Sequence, residues 1–462
     1  MFQRLRSRDG AFYRRLLALT LPMAVQNLIT FSLGLIDTFM VSQLGNDAMA
    51  AVTAANVPVF LLLSTVFGFQ SGLGILASQY WGKRDTVNIS RALGVAAFLG
   101  AGLSILLAMA FFLWPVAIMD LLSNSHHLSI LGAPYLRLIG FSYVCNVLSS
   151  LYVSVQRSAG NPRFGMRLFG FSTLLNTILN YIFIFGHFGA PALGIEGAAL
   201  ATLLSRVVEL IICVVYALRS KKVPLHAYAF LRPGWDMMKR FVHYAWPVVL
   251  NELLWGTGSA LLTVILGYMA NSVEMLAAYS VTGNLGRLFL VVCFGLGAAT
   301  SVMVGNAIGE GQDQDQIMDL SQTLLDFTTA VGAGLAAVSL LLIPTLFQPV
   351  IFPLFKLYAS SAVIATALAV MSFAATPLHA YAISAVTGVL RSGGDVRFST
   401  MLDVGPQWLF ALPLTALFAL VLGGNCWIVA LAIQSENMLK VPLCMWRVNS
   451  RKWIHDVTEE VL

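Results

Sequence analysis

The segments "VQRSAGNPRF" (Val155 to Phe164) and "VLRSGGDVRF" (Val389 to Phe398) share Arg, Ser, Gly, Arg and Phe at a constant offset of 234 residues. Both are polar interruptions between long apolar runs, so the match is more than the general likeness of one apolar helix to another. "FGFQSGLGILASQYWG" (Phe67 to Gly82) agrees with "FGLGAATSVMVGNAIG" (Phe294 to Gly309) in ends and spacing at an offset of 227, and Pro22 pairs with Pro247 at 225. The chain reads as two copies of one design.

Around these anchors lie twelve apolar segments, at 16–42, 49–78, 92–114, 128–156, 166–186, 193–217, 240–269, 275–305, 321–344, 359–390, 398–421 and 426–446. An apolar run of about twenty residues crosses a bilayer as a helix, because lipid offers the backbone no hydrogen-bond partner. The expected fold is an all-α integral membrane protein. Six helices per copy is an even number, so both copies enter from the same side and form parallel repeats about an axis along the membrane normal. Two pseudo-symmetric six-helix lobes are expected around a central cleft. Helices 1–6 fall in residues 1–218, a linker spans 219–239, and helices 7–12 with a short tail occupy 240–462.

Composition supports this and excludes much else. The 462 residues are 58% hydrophobic and only 10% charged, against about 25% charged in an average soluble protein. Mean hydropathy is +0.81. The net charge of +6 does not point to nucleic acid, which requires basic residues clustered on one exposed face. Cys145, Cys213, Cys293, Cys426 and Cys444 form no CxxC pair and lie in or beside apolar runs, where they read as small buried hydrophobes. The basic start leads into an apolar run that passes Phe39 without a small-residue cleavage site, so no cleavable signal peptide is expected.

Short cytoplasmic loops of membrane proteins retain Lys and Arg. Assigning successive loops to alternate sides puts twenty-three basic residues on one side, Arg6, Arg391 and Lys440 among them, and Lys356 alone on the other. Both termini are therefore expected on the cytoplasmic side. Arg137, Arg206 and Arg287 fall inside or at the edge of helices.

An ionisable residue inside a membrane helix is energetically costly and is by default a functional candidate or half of a pair. The acids in question are Asp37, Glu209, Glu252, Asp326, Asp403 and Glu436. Arg206 at i−3 accounts for Glu209, and Lys440 at i+4 accounts for Glu436. Asp326 lies near a helix end, with solvent or Arg287 as its expected partner. Asp37, Glu252 and Asp403 have no partner close in sequence, and their counterparts in the other repeat are Leu262, Asn27 and Phe169. Glu252 is twelve residues past Arg240, about 18 Å into the membrane. A carboxylate there can be protonated, pair with a metal cation or face a cationic ligand. Exchange among those states is what a cation-coupled exporter requires. On the fifth helix, Asn176 and Asn180 share one face, with Thr202 on the sixth. Asn180 stands about 20 Å from Arg167, toward the half where Asp37 falls. Pro22 and Pro247 each remove a backbone hydrogen bond from a helix and are expected to kink it, as a switch between states.

"DTFMVSQLGNDAMAAV" (Asp37 to Val52), the two "RS" loops, "NTILNYIFIFG" (Asn176 to Gly186) followed by "LGIEGAALAT" (Leu193 to Thr202), and "NELLWGTG" (Asn251 to Gly258) come in an order and spacing that resembles the multidrug and toxic compound extrusion (MATE) family. The resemblance covers nearly the whole chain and is greatest to the NorM-like bacterial branch. It implies twelve helices in two lobes and export of cationic or amphipathic compounds against inward Na+ or H+. By position, Asp37, Asn176, Asn180 and Thr202 fall on that family's N-lobe cation or proton site, and Glu252 falls on the membrane carboxylate of its C-lobe. Two departures stand out. Many relatives carry Asp where this chain has Asn180, and some NorM-like members place a carboxylate in the tenth helix, for which Asp403 on the eleventh stands in here. No cofactor is expected beyond the coupling ion, with Na+ at these positions as the metal alternative to a proton. The expected setting is the bacterial cytoplasmic membrane, with small organic cations and the lipid bilayer as partners, no nucleic acid, and a monomer as the working unit.

The alternative reading is a lipid-linked oligosaccharide flippase of related architecture. A pyrophosphate head group calls for several Arg or Lys residues facing the cleft, and only Arg137, Arg206 and Arg287 are candidates. An enzyme is not expected: His126 and His127 are adjacent, and no HExxH or GxSxG motif occurs.

Overall fold

The computed structural model describes residues 4–5, 8–122, 125–355, 357, 359–423 and 425–459. Arg6 and Lys356, both part of the loop-charge argument, lie outside these residues. Among the described residues, eleven helices are long and apolar enough to cross a membrane, and a bent pair supplies a twelfth. They are α1 (Gly10–Ser42), α2 (Asn46–Gly82), α3 (Thr86–Leu113), α4 (His126–Ser158), α5 (Pro162–Phe185) and α6 (Ile195–Arg219). Then follow α7 (Trp235–Gly267), α8 (Ser272–Gly309), α9 (Gln314–Leu354), the pair Ser360–Ala374 and Thr376–Leu390 as α10, α11 (Val396–Val421) and α12 (Cys426–Asn449).

Each apolar segment read from the sequence has its helix. Several helices run further at their polar ends, where capping sets the limit. The Asp85 carboxylate accepts from the Asn88 N–H at 3.0 Å to start α3, and Asn425 Oδ1 accepts from the Ile428 N–H at 3.1 Å to start α12. Pro162 opens α5, where a missing N–H costs nothing.

Two helices depart from expectation, both through proline. The ninth was expected to end at 344, yet α9 continues to Leu354 through a π-helical stretch, Ile343–Ile351. Pro344 and Pro349 have no N–H to give, and the wider π turn absorbs the lost bonds without ending the helix. The tenth was expected as one helix but is bent by 49° at Ala375, just before Pro377. Its second half closes with another π stretch, Ser384–Leu390, that delivers the chain to Arg391.

The chain forms two compact units. One comprises Met1–Ala24 with Leu250–Glu460, and the other is built on Val25–Val249. The segment 219–239, expected as a linker, lies within the second of these, and the boundaries fall inside α1 and α7 instead. Each comes two residues after a proline, Pro22 in α1 and Pro247 in α7, and the two boundaries are themselves 225 residues apart.

In the Val25–Val249 unit, α4 packs against α2, α3 and α6, and α5 lies against α6. Val41, Ala55, Phe111, Leu136, Ile139 and Ile184 are buried together there. Close helix approach is set by Gly68 of α2, where a Cβ would come within 2.5 Å of Val249 Cγ2. In the other unit, α8 and α12 both pack against α10, and α9 lies against its second half. Leu16, Leu19 and Met23 of α1 join Leu296, Met303, Val386 and Leu390 in its core. Gly295 of α8, the repeat counterpart of Gly68, would place a Cβ 3.1 Å from Ala24. The glycine match seen in the sequence is thus a match of two helix contacts. Large apolar side chains such as Leu106 (70% exposed), Leu218 (73%) and Leu409 (72%) cover outer faces, as lipid-facing surfaces require.

Candidate ion and substrate sites

The first cluster brings together the four residues expected of it. Asp37 comes from α1, Asn176 and Asn180 from one face of α5, and Thr202 from α6. Asn180 Nδ2 donates to Asp37 Oδ1 at 2.6 Å and stands 3.0 Å from Asn176 Oδ1, while Asn176 Nδ2 donates to Thr202 Oγ1 at 3.2 Å. Thr202 in turn donates to the Ala198 carbonyl at 3.0 Å. Asn176 and Asn180 are buried, and among the described residues Asn180 Oδ1 has no hydrogen-bond partner. A buried acceptor left unmade is costly in an apolar setting. The cluster's side chains offer carboxylate, amide and hydroxyl oxygens, the donor type that suits a hard cation such as Na+. The residues present therefore fit the expected ion.

The second cluster is of another kind. Glu252 of α7 and Asp403 of α11 are brought together, but neither is without a partner, contrary to the reading from sequence neighbours. Arg391 Nη1 is 3.4 Å from Glu252 Oε1 and its Nη2 is 3.6 Å from Asp403 Oδ2. Lys440 Nζ is 2.9 Å from Asp403 Oδ1 and 2.6 Å from Glu436 Oε1. Asn251 Nδ2 bridges the two acids, 2.8 Å from Asp403 Oδ2 and 3.3 Å from Glu252 Oε1. Arg391 and Lys440 were counted as loop charges, yet they are 1% and 4% exposed. Pairing is what makes their burial tolerable, since one uncompensated charge in such a place costs several kcal/mol.

The remaining membrane acids are paired as well. Arg206 Nη1 lies 2.6 Å from Glu209 Oε2, the local pair expected from their spacing. Asp326, expected to meet solvent or Arg287, has a side chain 24% exposed and lies 3.9 Å from Arg4.

Arg391, Lys440 and Asn251 are the site residues that sequence reasoning missed. Two signals were available. Lys440 is followed by "VPLCMW", six residues without charge before Arg447, which places it well inside a helix. Arg391 heads the second copy of a repeated motif whose neighbours Gly393 and Gly394 permit close packing: a Cβ at Gly393 would sit 2.3 Å from the Trp453 ring.

Two six-helix repeats with polar clusters buried inside otherwise apolar spans define a membrane transporter rather than an enzyme. The MatE family model matches residues 22–182 and again 247–417, beginning at Pro22 and at Pro247, and the chain belongs to this family of transporters. The transporter YisQ of Bacillus subtilis, itself uncharacterized, is 23% identical over 95% of this chain and 94% of its own. The multidrug resistance protein MdtK of Pectobacterium atrosepticum is 27% identical over 88% of each chain. Among solved structures, a substituted form of the Vibrio cholerae MATE transporter VcmN superposes with a TM-score of 0.86, 18% identity, and coverage of 98% of this chain and 99% of that one. A transporter from Pyrococcus furiosus gives 0.83 at 17% identity, covering 95% and 96%. These likenesses establish the fold.

Proposed function

We propose that the protein is a cation-coupled antiporter that exports cationic and amphipathic organic compounds by alternating access, with Na+ or H+ as the coupling ion. The observation that carries this reading is the Asp37 cluster: among the described residues, one membrane carboxylate with only neutral donors hydrogen-bonded to it, beside the buried, unpartnered Asn180 Oδ1. A carboxylate so placed can hold a proton or a monovalent cation, and releasing either one leaves a negative charge inside the unit that a cationic substrate can answer. Relatives named for multidrug resistance support the substrate class. Glu252, whose side chain is 19% exposed, is the second-repeat carboxylate assigned to positive substrates or ions, with Asp403 beside it. Pro22 and Pro247, each two residues from a unit boundary, are the hinges assigned to the motion. The setting proposed is the bacterial cytoplasmic membrane, both termini inside, with the monomer as the working unit.

Coupling of this kind is reciprocal: an ion that weakens substrate binding is itself weakened by substrate to the same degree. The test is efflux of a fluorescent organic cation from vesicles holding the purified protein, under a Na+ gradient and, separately, a pH gradient. One gradient is expected to drive efflux, and Asp37→Asn to abolish the drive. Equal efflux with and without both gradients would overturn the proposal.

A further inference from the structure

Five charged side chains meet in the second repeat's unit, drawn from four helices or their ends: Glu252, Arg391, Asp403, Glu436 and Lys440. Three are carboxylates and two are cations. Lys440 is buried among the acids, its side chain 6% exposed and its ammonium within hydrogen-bond distance of two carboxylates from different helices, Asp403 and Glu436. An ammonium is a compact single positive charge that donates along three directions, and two carboxylate oxygens at 2.9 and 2.6 Å use two of them. In charge and in oxygen environment this is the role a free monovalent cation plays between carboxylates. Arg391 approaches Asp403 from the other side, so that this acid is met by positive charge twice.

The first cluster offers the contrast. Among the described residues Asp37 is hydrogen-bonded by an amide and by no cationic side chain, and the cluster keeps an unpartnered buried oxygen. The donor set there fits an exchangeable ion. The set around Asp403 does not, because a metal ion placed between Asp403 and Glu436 would have to share two oxygens with an ammonium already bonded to both.

We infer that Lys440 is a resident, covalently tethered cation that takes the place of a metal ion between Asp403 and Glu436. It makes the second repeat indifferent to Na+ and confines any Na+ dependence to the Asp37 cluster. Lys440 is on this account a determinant of ion selectivity, acting by occupancy rather than by contact with the transported ion. The inference rests on the proposed reading of the clusters as cation sites, and it deepens that reading by assigning the two clusters different ions.

The test is Na+ binding, read by radiotracer and by calorimetry on purified protein, with Asp37→Asn throughout to silence the first cluster. The Asp37→Asn parent is expected to show no saturable Na+ binding. Asp37→Asn with Lys440→Met is expected to take up one Na+ per chain, about tenfold or more tighter than any residual binding in the parent. Adding Asp403→Asn should remove it again. Saturable binding by the parent that Asp403→Asn removes would overturn the inference, as would the absence of new binding in a folded Lys440→Met protein. If Lys440→Met is too unstable to purify in choline, its thermal unfolding in Na+ decides the matter. Rescue by Na+ over choline supports the inference, and equal loss in both salts overturns it. Transport plays no part in this readout. A failure of gradient-driven efflux would therefore strike the proposed function while leaving the binding result to stand or fall alone.

Discussion

Arg157 and Arg391 hold the same position in two copies of one motif, yet they live in different surroundings. Arg157 is half-buried and reaches Ser154 Oγ at 3.3 Å. Arg391 is buried and faces two carboxylates. The motif did not change; the residues opposite did. Where the second repeat has Glu252 and Asp403, the first has Asn27 and Phe169 at the corresponding offsets. The repeat thus fixes where helices and loops go, and single substitutions on that shared frame decide which copy becomes an internally compensated charge network and which keeps a carboxylate among neutral amides.

The comparison can be broken experimentally, and the sharpest blow falls on the amide-held carboxylate. Asp37→Asn should reduce ion-driven efflux on the order of a hundredfold, the scale of a full coupling energy, while thermal unfolding in detergent shifts little. A variant with normal efflux would dissolve the distinction between the clusters. Next in size is the arginine pair. Arg391→Met leaves buried acids uncompensated and should cost about 3–5 kcal/mol of stability, whereas Arg157→Met should cost about 1 kcal/mol or less. Equal losses in denaturant titrations would mean that the shared motif, not the acids facing it, sets the role of the arginine.

A smaller effect is expected at the helix contacts. Gly68→Ala forces a methyl group against Val249 at 2.5 Å, while Gly295→Ala meets Ala24 at 3.1 Å. The first should destabilise by about 1–3 kcal/mol, as overpacking does, and the second by less, compared by melting temperature. Smallest is Thr202→Val, which removes one interhelical hydrogen bond and should cost about 0.6 kcal/mol. Its signature should be weakened ion binding more than lost stability.

Much of this fold was legible in the sequence because the repeat and the hydropathy constrain it twice over. Twelve apolar runs gave twelve spans, and the Asn176, Asn180 and Thr202 spacing brought those residues to Asp37, since i, i+4 on one helix leaves little choice of face. What was missed had nonlocal causes. Arg391 lies 139 residues from Glu252, and Lys440 lies 37 from Asp403, so no window of sequence could pair them. Counting basic residues by loop also has a built-in bias, because a Lys two to three helical turns inside a span, as Lys440 is in α12, looks like a loop charge until a carboxylate is found facing it. The π-helical stretch in α9 was hidden for a different reason: Pro344 and Pro349 read as stops, and only tertiary packing decides that a chain widens its turn instead.

The unit boundaries just after Pro22 and Pro247 bear on biogenesis. Residues up to Ala24 leave the ribosome before those that follow them, yet their packing partners lie beyond Leu250 and are made later. Synthesis therefore completes the unit built on Val25–Val249 while the chain start still waits for its core, the hydrophobic ridge of Leu16, Leu19 and Met23 held in lipid until α8 arrives. Cutting the gene within 219–239 would yield two halves, neither of which contains a whole unit. Each half should be prone to degradation when made alone, and the two should mature together when co-expressed.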